Sequence, residues 1–124
     1  MANQESSSLW QVGLARRDIT PTEPMPLAGY ANRTEPFESI ATPLALNALA
    51  LQDFAGARAL LITADFIGFD ASLAGTIRGE LVRRGELSPD AILLNGSHTH
   101  FGPQAIRAWI ENAPQYADVS ERYI

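Results

Sequence analysis

The sequence predicts an α/β fold: a mixed sheet of about four strands, with one antiparallel hairpin and one βαβ crossover, forming an incomplete part of a larger domain. Two apolar runs joined by a Gly-containing turn at residues 53–56 indicate the hairpin. An amphipathic helix pattern then separates the second run from a further apolar run at residues 91–96. A strand, a helix and a strand in succession imply a parallel pair with a right-handed crossover.

The first strand is expected at residues 9–19, where Trp10, Val12 and Leu14 alternate with other residues. Prolines at positions 21, 24 and 26 end it, and residues 27–33 mix glycine with polar groups and show no period. The second and third strands are expected at residues 44–52 and 58–64, with the turn between them. The three strands are therefore close together in sequence.

A helix is expected after Asp70, which can cap it, with Leu73, Ile77 and Leu81 forming an apolar stripe and Gly85 ending it. Weaker helical patterns follow at residues 105–112 and 116–124, and the last one lacks a C-terminal cap. A sheet has two faces to cover, and the sequence offers one clear helix. This shortage of covering elements predicts that the domain is incomplete.

Composition narrows the classes of function. At 124 residues the chain is one small domain, and its net charge of −5 with scattered basic residues argues against a nucleic-acid partner. The absence of cysteine excludes disulfides, thiolate metal sites and a cysteine nucleophile, so any metal must use nitrogen and oxygen ligands.

The polar residues 1–8 predict a flexible N-terminal tail, and they lack the basic and apolar pattern of a secretory signal. The sequence contains no apolar span of about 20 residues, so no transmembrane segment is expected. The chain as given is therefore expected in the cytoplasm, or in the periplasm or outside the cell if the true N-terminus is missing.

The segment that follows the apolar run at residues 91–94 contains both histidines, His98 and His100. In an extended strand, residues two apart project to one side with Cα atoms roughly 6.6 Å apart, so the two imidazoles can converge on one metal ion. Gly96 and Gly102 allow the backbone to bend, and Pro103 ends the strand. The alternative is that either histidine simply caps the strand end by bonding to a carbonyl group.

Asp65 ends the strand before the helix, and His98 ends the strand after it. Ligands collect outside the carboxyl ends of parallel strands, so we expect Asp65 to lie near the two imidazoles. Asp65 is then an outer carboxylate partner of a histidine, or a possible metal ligand. Alternatively, it is a cap or turn residue in the loop to the helix.

Residues 12–21, 27–30, 63–65 and 95–103 together resemble, in order and spacing, the N-terminal part of the neutral/alkaline non-lysosomal ceramidase family. The resemblance implies a zinc-dependent amidase that cleaves ceramide to a long-chain base and a fatty acid. In that family the His-Thr-His segment contributes to the zinc site. The remaining ligands, a His, a Glu and a Tyr, lie well downstream, as does the serine nucleophile.

Carried onto this chain, the resemblance makes residues 9–124 the N-terminal portion of a ceramidase-like zinc hydrolase domain. Zn²⁺ is the expected cofactor, His98 and His100 are the metal residues, and no catalytic nucleophile is identified in this segment. The substrate is a small-molecule or lipid amide, and a C-terminal portion of the same enzyme is a possible partner. The residues expected to border the site are Gly29, Tyr30, Asn32, Arg33, Ser97, Thr99 and Gly102.

Two departures from the family pattern bear on the substrate. Phe101 stands where the family usually has serine, and Thr42 precedes Pro43 where an acidic residue or histidine is common. These departures leave the identity of the substrate open.

Two other functions compete with the resemblance. An amidohydrolase barrel also uses His-x-His at a strand end, but there the motif ends the first strand, whereas here it follows about four strands. A non-enzymatic remnant would instead bind a partner through an uncovered sheet face. In each case the chain alone is not expected to be a competent amidase.

Overall fold

The computed structural model describes residues 10–85, 87–111 and 113–123. It contains a four-stranded sheet in the order β1 (Gln11–Asp18), β2 (Ala45–Gln52), β3 (Arg58–Ala64) and β4 (Ile92–Gly96). The pairs β1–β2 and β2–β3 are antiparallel, and β3–β4 is parallel. This mixed sheet confirms the predicted fold class. The tail predicted at residues 1–8 lies outside the described residues.

The turn between β2 and β3 is built on Asp53 and Gly56. The Asp53 carboxylate accepts hydrogen bonds from the backbone N–H groups of Ala55 and Ala57 at 2.9 and 2.8 Å. Gly56 has a φ of +87°, which a residue with a side chain rarely adopts. The turn fixes a register in which Gln52 faces Arg58, and the predicted hairpin is confirmed.

The crossover helix α1 (Ala71–Arg83) begins at Asp70, as predicted. The Asp70 carboxylate accepts a 2.7 Å hydrogen bond from Leu73 N–H, which lowers the pKa of that carboxyl group. Gly85 follows the helix with a φ of +88°. Two short helices, α2 (Arg107–Ile110) and α3 (Ala117–Tyr123), lie within the weaker helical patterns of the sequence.

The core lies between α1 and the carboxyl-terminal end of strand β3. Ala64, Phe66 and Leu73 are buried together, and further apolar side chains pack around them from Ile19, Leu46, Phe69, Ile77 and Tyr123. The hydroxyl group of Tyr123 donates a hydrogen bond to the Ile19 carbonyl at 2.5 Å and ties α3 to the end of β1. Burial raises the pKa of this hydroxyl group.

Strand β1 is exposed at every position. The apolar alternation of Trp10, Val12 and Leu14 predicted a strand. Such alternation usually means that one face of the strand is buried, but these three side chains are exposed. The physical reason is topological. Helix α1 connects β3 to β4 and packs at that side of the sheet, and none of the described side chains buries β1.

One apolar row crosses all four strands on the sheet face opposite α1. Cross-strand pairing places Leu14 beside Leu49, Leu49 beside Leu61, and Leu61 beside Leu93. Leu14 is 82% exposed and Leu93 is 61% exposed, whereas the two central leucines are half-buried. We refer to these four residues as the leucine row.

Within the described part of the chain, no helix has the length and apolar character that crossing a membrane requires.

Candidate functional site

The two histidines follow β4, the strand that pairs in parallel with β3. Ser97 N–H donates to Ala64 O, and His98 N–H donates to Phe66 O, each at 2.9 Å. These bonds hold the segment after β4 against the segment after β3. The carboxyl ends of the two parallel strands therefore meet, as the crossover predicted.

The backbone at His98 differs from the prediction. Extended geometry was expected through residues 98–100, but β4 ends at Gly96, and His98 has a φ of +59°. The hydrogen bonds of His98 explain the turn, because its N–H donates to Phe66 O and its Nδ1 atom lies 2.9 Å from Ile67 O. Gly96 lets the two segments pack closely, since a Cβ atom there would lie 2.9 Å from Gly68 Cα. The imidazoles still come together, with ring centroids 5.3 Å apart and planes at 68°. A turn in the backbone, not strand alternation, produces this proximity.

The ring of His98 is oriented by a backbone carbonyl group. His98 Nδ1 lies 2.9 Å from Ile67 O, and a carbonyl oxygen can only accept, so this nitrogen carries the proton. In the neutral form of the imidazole, Nε2 then carries the lone pair that a metal can bind. Metal-binding histidines commonly show this arrangement, in which the other ring nitrogen bonds to a carbonyl or carboxylate group.

The ring of His100 is packed tightly and is half-buried. Its Nδ1 atom is buried and has no hydrogen-bond partner among the described residues. Tyr30 approaches it edge-on with ring centroids 4.8 Å apart, and a Cβ atom at Gly29 would lie 2.4 Å from His100 Cγ. A buried ring nitrogen without a partner is uncommon in native proteins and calls for an explanation.

Arg33 connects the loop of residues 28–33 to the histidine segment. Its Nη1 group donates to His100 O at 2.5 Å and to Ala28 O at 3.3 Å. Its guanidinium carbon lies 4.7 Å from the centroid of the Tyr30 ring and 5.6 Å from that of Phe101. Of the loop residues that the sequence singled out, the structure thus brings Gly29, Tyr30 and Arg33 to His100. Asn32 is exposed in the turn.

Asp65 lies at the end of β3, on the same edge of the sheet as the histidines. Its Oδ2 atom accepts a 2.9 Å hydrogen bond from Ala45 N–H, which attaches it to the start of β2. Among the described residues, no hydrogen bond joins this carboxylate to either imidazole. The carboxylate therefore supports the sheet, and its role as an outer partner of a histidine stays a prediction.

Three further residues that the sequence singled out line the same turn. Thr99 Oγ1 accepts a 3.2 Å hydrogen bond from Phe101 N–H, and Ser97 is exposed. Gly102 is buried, and a Cβ atom there would lie 2.6 Å from Asp65 O. Sequence reasoning did not identify Ile67. Its contribution is a backbone carbonyl group, which the identity of a side chain does not reveal.

The two imidazoles suit zinc in their chemistry, but they do not complete a site. Imidazoles on one tetrahedral zinc, with Zn–N bonds of about 2.0–2.1 Å, have ring centroids roughly 5 Å apart. The observed 5.3 Å agrees with this distance. A catalytic zinc takes three protein ligands, and the described residues include no cluster of three His, Cys, Asp or Glu side chains able to hold a metal.

A cavity of about 440 Å³ lies beside the turn. Asp65, Thr99 and Phe101 line it from the site edge, and the rest of its lining comes from residues 20–21, 27, 37 and 39–44. The large apolar side chains of the lining are Leu27, Phe37, Ile40, Leu44 and Phe101. A cavity of this size can accept an apolar ligand. Neither histidine lines it, and Thr99, which lies between them in the sequence, connects it to the histidine segment.

The fold is ceramidase-like. Neutral ceramidase from Pseudomonas aeruginosa superposes with a TM-score of 0.68 at 20% identity, over 79% of this chain and 16% of that one. A second solved structure, a ceramidase complexed with C2, superposes with a TM-score of 0.74 at 16% identity, over 92% of this chain and 20% of that one. The chain thus spans a fifth or less of the length of these proteins. No protein-family model matches the sequence, and no curated protein matches it either.

Proposed function

We propose that this chain is the N-terminal part of a zinc-dependent amide hydrolase of the ceramidase type. The observation that carries the proposal is the pairing of His98 and His100, with ring centroids 5.3 Å apart, at the strand edge of a ceramidase-like fold. This edge is where ligands bind in α/β proteins. A C-terminal portion of the same enzyme would supply the missing ligands and the nucleophile.

The roles of the residues follow from their contacts. His98 would bind zinc through Nε2, because its Nδ1 proton is held by the Ile67 carbonyl group. His100 would be the second imidazole, held by Tyr30 and by its backbone contact to Arg33. Zinc held by these imidazoles would supply Lewis-acid chemistry: it would polarise an amide carbonyl group or lower the pKa of a water molecule, which is the activation that a stable amide bond requires.

The cavity beside the turn supports a lipid amide as the substrate. Phe37, Ile40 and Phe101 give it an apolar lining, and Thr99 connects it to the histidine segment. Burial of a hydrocarbon chain stabilises a complex by about 0.8 kcal/mol for each CH₂ group. An acyl chain or a long-chain base in this cavity would place its amide bond near the metal.

The proposal includes the expectation that the chain alone is inactive. Two imidazoles fall short of the ligand set of a catalytic zinc site, and metal affinity should therefore be weak. The predicted contribution of Asp65, as an outer carboxylate or a ligand, would depend on the segment that completes the site.

The test is a zinc titration of the chain against a chromophoric chelator. His98→Ala and His100→Ala should each weaken zinc binding. Gln11→Ala should leave it unchanged, because Gln11 is exposed at the opposite end of the sheet. Undiminished affinity in both histidine variants would eliminate them as ligands.

A second assay tests the activity of the chain alone. With zinc added, hydrolysis of a short-chain fluorescent ceramide should not exceed that of the His98→Ala control. Turnover that zinc restores and this substitution removes would show that the chain suffices as a minimal amidase, and that the claim of inactivity is wrong.

The exposed leucine row favours one other function, that of a partner-binding module. Leu14 and Leu93 expose most of their surface, and such a row across four strands is typical of a protein contact. This function requires no metal. A chain that binds no zinc but associates through the leucine row would support it over the hydrolase.

A further inference from the structure

We propose that Arg33 is a positioning residue, which fixes the imidazole of His100 by joining the loop of residues 28–33 to the backbone of the histidine segment. The effect of this positioning on metal binding rests on the proposed function. The positioning itself is a property of the folded chain and can be measured without a metal.

The contacts of the guanidinium group support this role. Arg33 donates to the carbonyl groups of both Ala28 and His100, two residues that are distant in sequence. Its own N–H donates to Tyr30 O at 3.0 Å, which closes the turn that presents the Tyr30 ring to His100. One side chain thus holds the backbone of His100 and the loop whose aromatic ring packs against the imidazole.

The same loop is joined to the segment after His100 by backbone bonds. Ala28 N–H donates to Gly102 O, and Gln104 N–H donates to Pro26 O, each at 2.9 Å. These bonds fix the loop beyond the imidazole but do not touch it. Since Gly29 leaves no room beside the ring, a small shift of residues 28–30 changes the position of the His100 side chain.

The geometry favours an arginine because of its planar face. Both carbonyl groups accept from the one atom Nη1, while the guanidinium group lies over the rings of Tyr30 and Phe101. A lysine ammonium group could donate to the two carbonyl groups, but it is a compact point charge without a planar face for the rings. Arg33→Lys should therefore retain the charge and restore only part of the positioning.

The two histidines are held by different groups, which makes the effect specific. His98 is oriented by Phe66 O and Ile67 O, on the β3 side of the turn, and among the described residues no hydrogen bond joins it to Arg33. Its ring meets that of His100 edge-on, with centroids 5.3 Å apart. Loss of Arg33 should disturb His100 and leave the His98 ring in place. A general loss of structure would disturb both.

The experiment compares Arg33→Met, Arg33→Lys and a matched control, Arg78→Met, in the full chain. Arg78 is also part-buried and donates to a backbone carbonyl group, that of Ile92 at 3.4 Å, at the far end of β4. The first readout, without metal, is the nuclear Overhauser contact between the Tyr30 and His100 rings. The second is zinc affinity by chelator competition.

Arg33→Met should lose the ring contact and bind zinc about 10-fold or more weakly, the effect typical of removing an outer support of a ligand. Arg33→Lys should fall between this variant and the wild type, and Arg78→Met should keep both properties. An unchanged ring contact in Arg33→Met would overturn the inference. If Arg33→Met fails to fold, the ring contact in Arg33→Lys decides in its place.

The two readouts separate this inference from the proposed function. If the wild-type chain binds no zinc, the zinc hydrolase proposal fails, while the ring contact still decides the role of Arg33. If zinc binds and Arg33→Met leaves both the ring contact and the affinity unchanged, the hydrolase proposal stands and the inference on Arg33 is wrong.

Discussion

Replacing Gly29 by alanine should destabilise the fold by roughly 2–6 kcal/mol, because two costs add. Gly29 has a φ of +107°, and holding a residue with a side chain in such a region costs about 1–3 kcal/mol. The new Cβ atom would also lie 2.4 to 2.8 Å from three atoms of His100. Forcing an extra carbon into a packed site costs about 1–3 kcal/mol.

This cost is a large fraction of the 5–15 kcal/mol by which domains are stable. The assay is urea unfolding followed by circular dichroism. The matched control is Gly75→Ala in α1, where a Cβ atom meets nothing within 4 Å. In an exposed helix interior this change should stabilise the protein by about 0.8–1 kcal/mol.

Glycine-to-alanine substitution is thus expected to lower the folding stability at position 29 and to raise it at position 75. Gly29→Ala with wild-type stability and an intact contact between the Tyr30 and His100 rings would refute the packing described here. If Gly29→Ala stays folded but binds zinc more weakly, the new Cβ atom has displaced the imidazole of His100 and left the backbone in place. In that case the cost appears as lost metal affinity.

Three further outcomes are expected. Asp70→Ala should lower stability by about 1 kcal/mol, since Asp70 caps α1. The pKa of this carboxyl group is lowered in the folded state, so its contribution is present above its unfolded value of about 3.9 and disappears as the pH falls through the folded value. Urea unfolding at several pH values should show this, and a difference from wild type that does not shrink as the pH falls below about 3.9 would contradict it. Tyr123→Phe should cost about 0.5–1.5 kcal/mol through the lost hydrogen bond to Ile19. Burial raises the pKa of Tyr123, so this stabilisation is complete below its unfolded value of about 10 and is lost at higher pH. Alkaline unfolding should therefore be steeper in the wild type than in Tyr123→Phe, and equal slopes would exclude the mechanism. The exposed leucine row should make the chain self-associate, and Leu14→Lys should reduce this self-association in sedimentation velocity. Gln11→Lys adds the same charge to the same strand outside the leucine row, and it should leave self-association unchanged. Equal effects of the two substitutions would mean that charge alone is responsible.

Much of the fold could be predicted because its signals are local. The third strand was placed at its observed bounds, and the helix begins after Asp70 and is followed by Gly85, since cap and turn residues carry their own geometry. The crossover followed from the order of elements alone. It brought the ends of β3 and β4 together without any information from tertiary contacts.

The rest depended on contacts that the sequence does not encode locally. The left-handed backbone of His98 arises from hydrogen bonds to Phe66 O and Ile67 O, and carbonyl groups are present in every residue. The link between Arg33 and His100 spans 67 positions of the chain and follows no periodic pattern. The exposure of β1 also could not be deduced, because apolar alternation indicates a strand but does not say what covers it.

The left-handed backbone at His98 has a consequence for how stability and function compete in this chain. A residue with a side chain is strained at a φ of +59°, although histidine tolerates it better than most, and glycine carries no such strain. Because the His98 side chain is exposed, its removal creates no cavity. His98→Gly should therefore change the folding stability little and weaken zinc binding. If His98 binds zinc as proposed, the strain of its backbone is a stability cost that accompanies metal binding.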